Sequence, residues 1–431
     1  MAVSFEAEKL EKAILIGAIH GKFDEQSVNE HLDELELLSE TAGAEIVGRV
    51  TQRLLKINPA FFIGKGKAEQ IVRQAKELDA DLLIFDEDLN PAQTKNFQRL
   101  ADNLKVIDRS ALILDIFRKH AKTKEAKTQV ELAHLQYILP RLTRMWTHLE
   151  RQMGGIGARA GAGETQIEVD RRLIRKRIEK LKKELNRIDR ERVTQGKRRR
   201  DQFKVAIVGY TNAGKSTLMQ ALTGEKIYIQ DQLFATLDTT IRSVSFNGTH
   251  KFLLSDTVGF IRKLPHHLVA SFRSTLKEVI EGDLILIVLD ASSQQVMEHL
   301  ETIRTVLKEL KADKHQTLLV LNKIDLIHGS ARMAYLKRIF PDGILVSARD
   351  HLRIDQLMKN IAKVMDESAQ TINVFFPFDQ GRELAIAQEG VEVLERSYDD
   401  DGVRLKIRGS PQRINRILLS TEKWASKKKA L

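Results

Sequence analysis

The sequence predicts an α/β chain built in four parts. A small parallel α/β domain (1–121) and a long antiparallel helical hairpin (122–200) precede a doubly wound α/β domain (201–366), and a small α+β domain (367–431) follows. Three observations carry this reading. Short apolar runs alternate with helical patterns, first within 12–108 and again within 203–364. The stretch "GYTNAGKS" (209–216) lies between an apolar strand and a helix. Two heptad seams flank a run rich in glycine. A chain of 431 residues has room for three or four units of roughly 100 to 200 residues each.

In the first part, 12–19, 44–50, 80–86 and 104–108 read as strands, with helices around 26–40, 67–78 and 91–101. Lys65 and Lys67, in "FFIGKGKAEQI", read as loop residues, because no phosphate-loop pattern surrounds them. The hairpin is read from Leu132, Leu135, Leu139, Leu142, Trp146 and Leu149, spaced 3, 4, 3, 4 and 3 apart, with a kink expected at Pro140. Its second arm carries Ile167, Ile174, Ile178, Leu181, Leu185 and Ile188. In the last part, "VEVLERSYDDDGVRLKIRG" reads as a β-hairpin turning at Asp401-Gly402.

Composition narrows the function classes. There are no cysteines, which excludes disulfides and thiolate metal sites. The longest apolar run, "LILIVL" (284–289), is far too short to span a membrane, and the acidic N-terminus does not resemble a signal peptide. A cytoplasmic protein is expected, with peripheral membrane association as the alternative. The net charge of +11 is concentrated: residues 170–200 hold fifteen Lys and Arg against five Asp and Glu, a local +10. Such a block predicts a polyanionic partner, RNA or an anionic membrane surface, the plain alternative being a solvated helical face.

The phosphate loop is the most informative motif. Gly209, Gly214, Lys215 and Ser216 satisfy G-x-x-x-x-G-K-[ST] after the strand "KVAIV". Backbone N–H groups of Tyr210, Thr211, Asn212, Ala213 and Thr217 with these residues would face phosphates. Lys215 would offset β/γ charge, and the Ser216 hydroxyl would ligate Mg²⁺. "SDTVGF" places Asp256 at a strand end, holding Mg²⁺ through water, with Thr257, Val258 and Gly259 beside the γ-phosphate. "NKID" supplies Asn322, Lys323 and Asp325. A carboxylate accepts from both N1–H and N2–H of guanine, a pair adenine lacks, so the base read is guanine and the ligand GTP or GDP. Ser347 and Ala348 of "ILVSA" are expected at the same base.

These motifs look like a translation-factor-class P-loop GTPase. Together with "FDEDLNPAQTKNFQ", "VIDRSALILDIFRKHAKTKEAKTQVELAHLQYILPRL", "GGIGARAGAGETQIEVDRR" and "DQLFATLDTT", they resemble the HflX family of ribosome-associated GTPases over roughly 10–365. The resemblance implies binding to the large ribosomal subunit and its rRNA, splitting of stalled or vacant ribosomes under stress, and release controlled by GTP. It implies that Thr236 of "FATLD" joins the Mg²⁺ shell, with Thr239 and Thr240 as rivals; Thr239 stands where the family usually has proline. Asn212 resembles the residue that helps bind K⁺ in related GTPases, against the plainer role of shaping the loop. No feature demands an oligomer, so a monomer is expected.

Phe260 follows Asp-x-x-Gly where many GTPases carry a Gln that orients the attacking water. A phenyl ring can do neither half of that hydrogen bonding, so intrinsic hydrolysis is expected to be slow and stimulated by the ribosome; the alternative is that Phe260 only packs. His266 and His267 read as surface residues. Gly155, Gly157 and Ala160 match the dinucleotide fingerprint, but they follow a heptad helix rather than a strand, so the match is accidental. This glycine-rich tip would instead let Arg159 approach RNA, with Gln166, Arg171 and Arg172 at its exit. Two other function classes compete: a GTP-dependent membrane or protein adaptor, and an RNA-binding scaffold stabilised by nucleotide.

Overall fold

The computed structural model describes residues 10–21, 23–101, 104–142, 166–195, 202–225, 233–234, 240–248, 250–263, 276–411 and 413–419. Trp146, Leu149, Arg159, Thr236, Thr239, His266 and His267 lie outside them, as do the tip glycines. The chain divides into two compact units. The first holds 1–188 with 230–237 and 263–272; the second holds 189–229, 238–262 and 273–431. Among the described residues, no helix is long and apolar enough to cross a membrane.

The first unit begins with strands β1 (Glu11–Ile19), β2 (Ala44–Arg53), β3 (Leu82–Phe85) and β4 (Lys105–Asp108), ordered β2-β1-β3-β4 and parallel throughout. This is the small parallel α/β fold that the alternating pattern predicts. β1 is buried along nearly its whole length, as a parallel strand covered on both faces must be. Helices α1 (Glu25–Ala42), α2 (Lys65–Glu77), α3 (Pro91–Leu100) and α4 (Arg109–His120) connect and cover the sheet. Asp24 caps α1, accepting from the Ser27 amide at 2.8 Å, and Asn90 with Gln93 forms a full capping box on α3. Lys65 opens α2 and Lys67 lies within it, which corrects the loop reading: Gly64 ends the preceding segment in extended conformation and the helix starts at once.

At the carboxyl ends of β3 and β4 the sequence buries charge. Arg109 is 2% exposed and reaches both Glu34 and Asp86, the latter at 2.7 Å. His31 stands 3.6 Å from the same Asp86, and Lys263 bonds both Asp86 and, at 2.7 Å, Glu87. Burial alone would push the Asp86 carboxyl up, but Arg109, His31 and Lys263 outweigh it and hold the group well below the usual carboxylate range. Asp108 is the opposite case. Burial raises it, although it accepts from the Ala111 amide, the Tyr137 hydroxyl and Arg141.

The hairpin arms are α5 (Lys124–Ile138) and α6 (Gln166–Gln195). Leu132, Ile178 and Leu181 are buried together, with Leu135, Leu139, Ile174 and Leu185 packed around them, so the two seams meet. Their sense is antiparallel. Lys124 pairs with Glu184 at 2.9 Å and Glu131 takes a bidentate bond from Arg177, so seven residues forward on one arm is seven back on the other. Pro140 ends α5 just before it rather than kinking a continuous helix, since the helix stops at Ile138 with Leu139 as its cap.

In the second unit a six-stranded sheet has the order β10-β9-β8-β5-β7-β6. Its strands are β5 (Phe203–Gly209), β6 (Thr240–Phe246), β7 (His250–Asp256), β8 (Leu284–Asp290), β9 (Gln316–Asn322) and β10 (Ile344–Leu345). Only the β6–β7 pair is antiparallel. Helices α7 (Lys215–Thr223), α8 (Lys277–Ile280), α9 (Val296–Glu309), α10 (Ser330–Ile339) and α11 (Ile354–Ser368) accompany it. A separate sheet, β11-β13-β12, follows with α12 (Gly381–Gln388); its strands are β11 (Gln370–Pro377), β12 (Glu392–Asp399) and β13 (Gly402–Gly409). Val403, Leu405 and Ile407 point to its core as their alternation predicts.

The turn of this hairpin is Asp400-Asp401, one residue earlier than expected, because Gly402 is already paired with Asp399. Glycine is required at 402 for a different reason than turning. A Cβ there would lie 2.3 Å from the Phe376 carbonyl oxygen and 2.8 Å from the Phe375 ring, at the end where β13 pairs with β11 through Gly402 and Pro377.

Candidate active site

The carboxyl edge of the six-stranded sheet gathers the motif residues. Strand β5 ends at Gly209, and the loop that follows turns into α7 at Lys215. Asn212 and Gly214 both adopt left-handed backbone, with φ of 57° and 84°. At Gly214 a side chain would also have no room, since its Cβ would sit 2.4 Å from the Asn322 amide nitrogen. The loop therefore keeps its shape because two residues tolerate positive φ and one of them meets Asn322.

Lys215 is buried and donates to the Tyr210 carbonyl at 2.8 Å. Burial, reinforced by Lys323 and opposed by Asp256, lowers its ammonium to about 8. Ser216, on the first turn of α7, donates to Asp256 Oδ2 at 2.8 Å, which brings together a hydroxyl and a carboxylate from two different motifs. Asp256 ends β7 and is 2% exposed. Thr257 next to it is anchored by donating to the Ile207 carbonyl at 2.7 Å, and Val258 is buried.

The stretch after Asp256 is tied to the phosphate loop by backbone hydrogen bonds. Phe260 N–H donates to the Gly209 carbonyl at 3.0 Å, and Thr211 N–H donates to the Phe260 carbonyl at 2.7 Å. Gly259 lies so close that a Cβ on it would be 2.9 Å from Lys215 Nζ and from Thr211. The Phe260 side chain is 1% exposed and belongs to the core. It packs and does not present itself to reacting groups.

The third cluster forms between β9, the short 3₁₀ turn Ile324–Leu326 and the segment after β10. Asn322 donates to the Ala213 carbonyl at 3.0 Å and accepts from the Ala348 amide at 3.0 Å, so one amide holds two loops. Ser347 donates to Asp325 Oδ1 at 2.6 Å. Lys323, in left-handed conformation, pairs with Asp290 at 2.9 Å. The four sequence motifs thus converge. Thr236 and Arg159 lie outside the described residues, Gln166 opens α6, and Arg171 and Arg172 lie one turn along it, Arg172 exposed.

Sequence reading missed four side chains here. Asp290 was findable, being a carboxylate at a strand end like Asp256. Arg262, Glu298 and His299 were not, because Arg262 joins α9 across more than thirty residues: it donates to Glu298 at 3.1 Å, and His299 stacks on Tyr210 at 3.9 Å. The arrangement pairs a lysine ammonium and helix-start amides with a hydroxyl–carboxylate pair and a carboxylate poised for a base edge. Chemically, that suits gripping and hydrolysing a purine nucleoside triphosphate.

Comparison with known proteins agrees. Three family models match successive stretches: "GTP-binding GTPase N-terminal" over 29–118, "GTP-binding GTPase Middle Region" over 120–199 and "50S ribosome-binding GTPase" over 204–323. GTPase HflX of Flavobacterium psychrophilum is 49% identical over 74% of this chain and 77% of its own. GTPase HflX of Caldanaerobacter subterraneus subsp. tengcongensis is 42% identical over 93% of this chain and 91% of its own. The crystal structure of a GTP-binding protein from the archaeon Sulfolobus solfataricus in complex with GDP is similar at a TM-score of 0.44 and 26% identity, over 82% of this chain and 98% of that one. With the motifs assembled at one sheet edge and relatives this similar along most of its length, the chain belongs to the HflX family of GTPases.

Proposed function

We propose that this GTPase works as a switch on the large ribosomal subunit: with GTP it engages the subunit and splits or rescues stalled or vacant ribosomes under stress, and hydrolysis releases it. One observation carries the reading. Arg171, Arg172, Arg175, Lys176, Lys180 and Lys183 line one face along α6 with only Glu168 and Glu179 among them, directly after the glycine-rich tip, in a chain that matches both the middle-region and the GTPase family models. A face of this charge suits a phosphate backbone. The narrow apolar seam on the same helix is already used against α5, so among the described residues α6 offers no broad apolar face for a membrane surface, which disfavours the adaptor reading.

In this reading Gly209, Tyr210, Thr211, Asn212, Ala213, Gly214 and Thr217 cradle the phosphates with Lys215. Thr257, Val258 and Gly259 form the γ-phosphate side, and Asn322, Lys323, Asp325, Ser347 and Ala348 read guanine. The donor set fits Mg²⁺: Ser216 and the buried Asp256 supply hard oxygen ligands, directly and through water, and Thr236 would complete the shell. Bound Mg²⁺ would neutralise charge developing on the β- and γ-oxygens. The left-handed, exposed Asn212 supports the loop-shaping role. Turnover is then expected to be equal in K⁺ and Na⁺ buffers; a several-fold advantage in K⁺ would assign Asn212 to the cation instead.

Because Phe260 is buried, the protein alone lacks a side chain at that position to orient water. GTP turnover of the isolated protein is expected to be slow and to rise at least tenfold with purified large subunits, as judged from the size of added transition-state stabilisation in stimulated GTPases. Equal rates with and without subunits would overturn this.

A further inference from the structure

We infer that Tyr210 is a positioning residue for GTP hydrolysis, acting as a clamp between the phosphate loop and the stretch after Gly259. The inference rests on GTP hydrolysis and is independent of any ribosomal partner. Tyr210 is 5% exposed, and its carbonyl, hydroxyl and ring are each engaged. Its carbonyl accepts from Lys215 Nζ at 2.8 Å. Its hydroxyl accepts from the Arg262 backbone N–H at 2.8 Å. Its ring lies on the His299 imidazole of α9, centroids 3.9 Å apart and planes within 15°.

Arg262 extends the clamp. Its guanidinium donates to Glu298 at 3.1 Å and to Gln295 at 3.0 Å, so one face of the first turns of α9 holds both members of the Tyr210–Arg262 pair. The stretch from Gly259 to Arg262 is therefore pinned at both ends. At its start, Phe260 exchanges backbone hydrogen bonds with Gly209 and Thr211; at its finish, Arg262 N–H meets the Tyr210 hydroxyl. Between them Ile261 is buried. Two-ended attachment fixes where the Gly259 backbone stands relative to Lys215.

That placement matters because Phe260 offers no hydrogen bond. Stabilisation of charge at the reacting phosphate then falls to groups whose usefulness depends on position alone, the Lys215 ammonium and backbone N–H groups near Gly259. Loosening one end of the stretch misplaces them during reaction while leaving the phosphate cradle and the guanine contacts as they were. The signature is a fall in kcat without loss of affinity.

The test compares wild type with Tyr210→Phe, which keeps the ring stack on His299 and removes only the hydroxyl, and with Arg262→Ala, which keeps the backbone N–H but removes the guanidinium bonds that anchor this end to Glu298 and Gln295. GTP turnover of the isolated full-length protein, Kd for GTP and GDP, and thermal stability are measured for both. A single neutral hydrogen bond sets the scale, so Tyr210→Phe is expected to lower kcat about 3- to 10-fold, with Kd within two-fold of wild type and the unfolding temperature lowered by only a few degrees. The double variant should be little slower than the slower single, because both lesions open one clamp. The inference is overturned if kcat is unchanged or rises, if Kd weakens in step with kcat, or if the two effects multiply. Absence of turnover in the wild-type protein would instead contradict the GTPase assignment, which separates the two failures.

Discussion

Replacing Asp325 by Asn is expected to weaken GTP binding by roughly a thousand-fold or more, about 4 kcal/mol, and to turn preference toward xanthosine triphosphate. The carboxylate presents two acceptors to guanine N1–H and N2–H. An amide in its place presents one acceptor and one donor, and the donor then faces another donor. Xanthine carries a carbonyl at C2, which accepts from that amide. Asp325 accepts from the Ser347 hydroxyl at 2.6 Å, and the neighbouring Ala348 amide is tied back to Asn322. Titration with both nucleotides decides the matter: GTP affinity close to wild type in Asp325→Asn would mean that the base is read elsewhere.

Arg109→Met is expected to destabilise the first unit by about 3 to 5 kcal/mol, the usual loss when one member of a buried ionic cluster is removed. Asp86 and Glu34 would keep their charges with their shared guanidinium gone, in a place where Arg109 and Asp86 are almost fully buried. Removing the charges together should cost less than removing Arg109 alone, because no ion is left behind. The pH dependence has a definite sign. Asp86 titrates lower folded than unfolded, so its contribution is complete above the ordinary carboxylate range near 4 and fades as pH falls through the lowered folded value. Denaturant unfolding should therefore show a gap between wild type and Asp86→Asn at pH 7 that narrows steadily in acid. A constant gap would show that the carboxylate is not ionised in the native protein.

The two cases mark how far the sequence could be read. The nucleotide motifs were legible because each is a short run whose spacing is set by one strand end and one turn: Gly209 to Ser216, Asp256 to Gly259, Asn322 to Asp325. The hairpin was legible because heptad spacing encodes a seam, and Leu132 does meet Ile178 and Leu181. What stayed hidden joins distant segments. Arg109 and Glu34 lie seventy-five positions apart and look like ordinary surface charges until the parallel sheet brings strand ends together. Tyr210 and His299 carry no mutual spacing signal at all. Boundaries slipped where tertiary contact outweighs local preference: Gly402 was read as a turn residue, yet its lack of a side chain serves the close pairing with β11.

The basic residues of α6 and the GTPase motifs lie on different elements and can be altered separately. Reversing Arg175, Lys176 and Lys180 to Glu should leave turnover of the isolated protein near wild type, since none of them belongs to the sheet edge where the motifs converge. The same variant should lose affinity for a polyanionic partner, with a shallower dependence on salt, because fewer counterions are released on binding.

Sedimentation with purified large ribosomal subunits, in a non-hydrolysable GTP analogue and in GDP, decides whether nucleotide controls engagement of the subunit. Pelleting that requires the analogue, disappears in GDP and falls steeply with salt is the predicted result. Equal pelleting in both nucleotides, or none with subunits while anionic vesicles are bound, would contradict it.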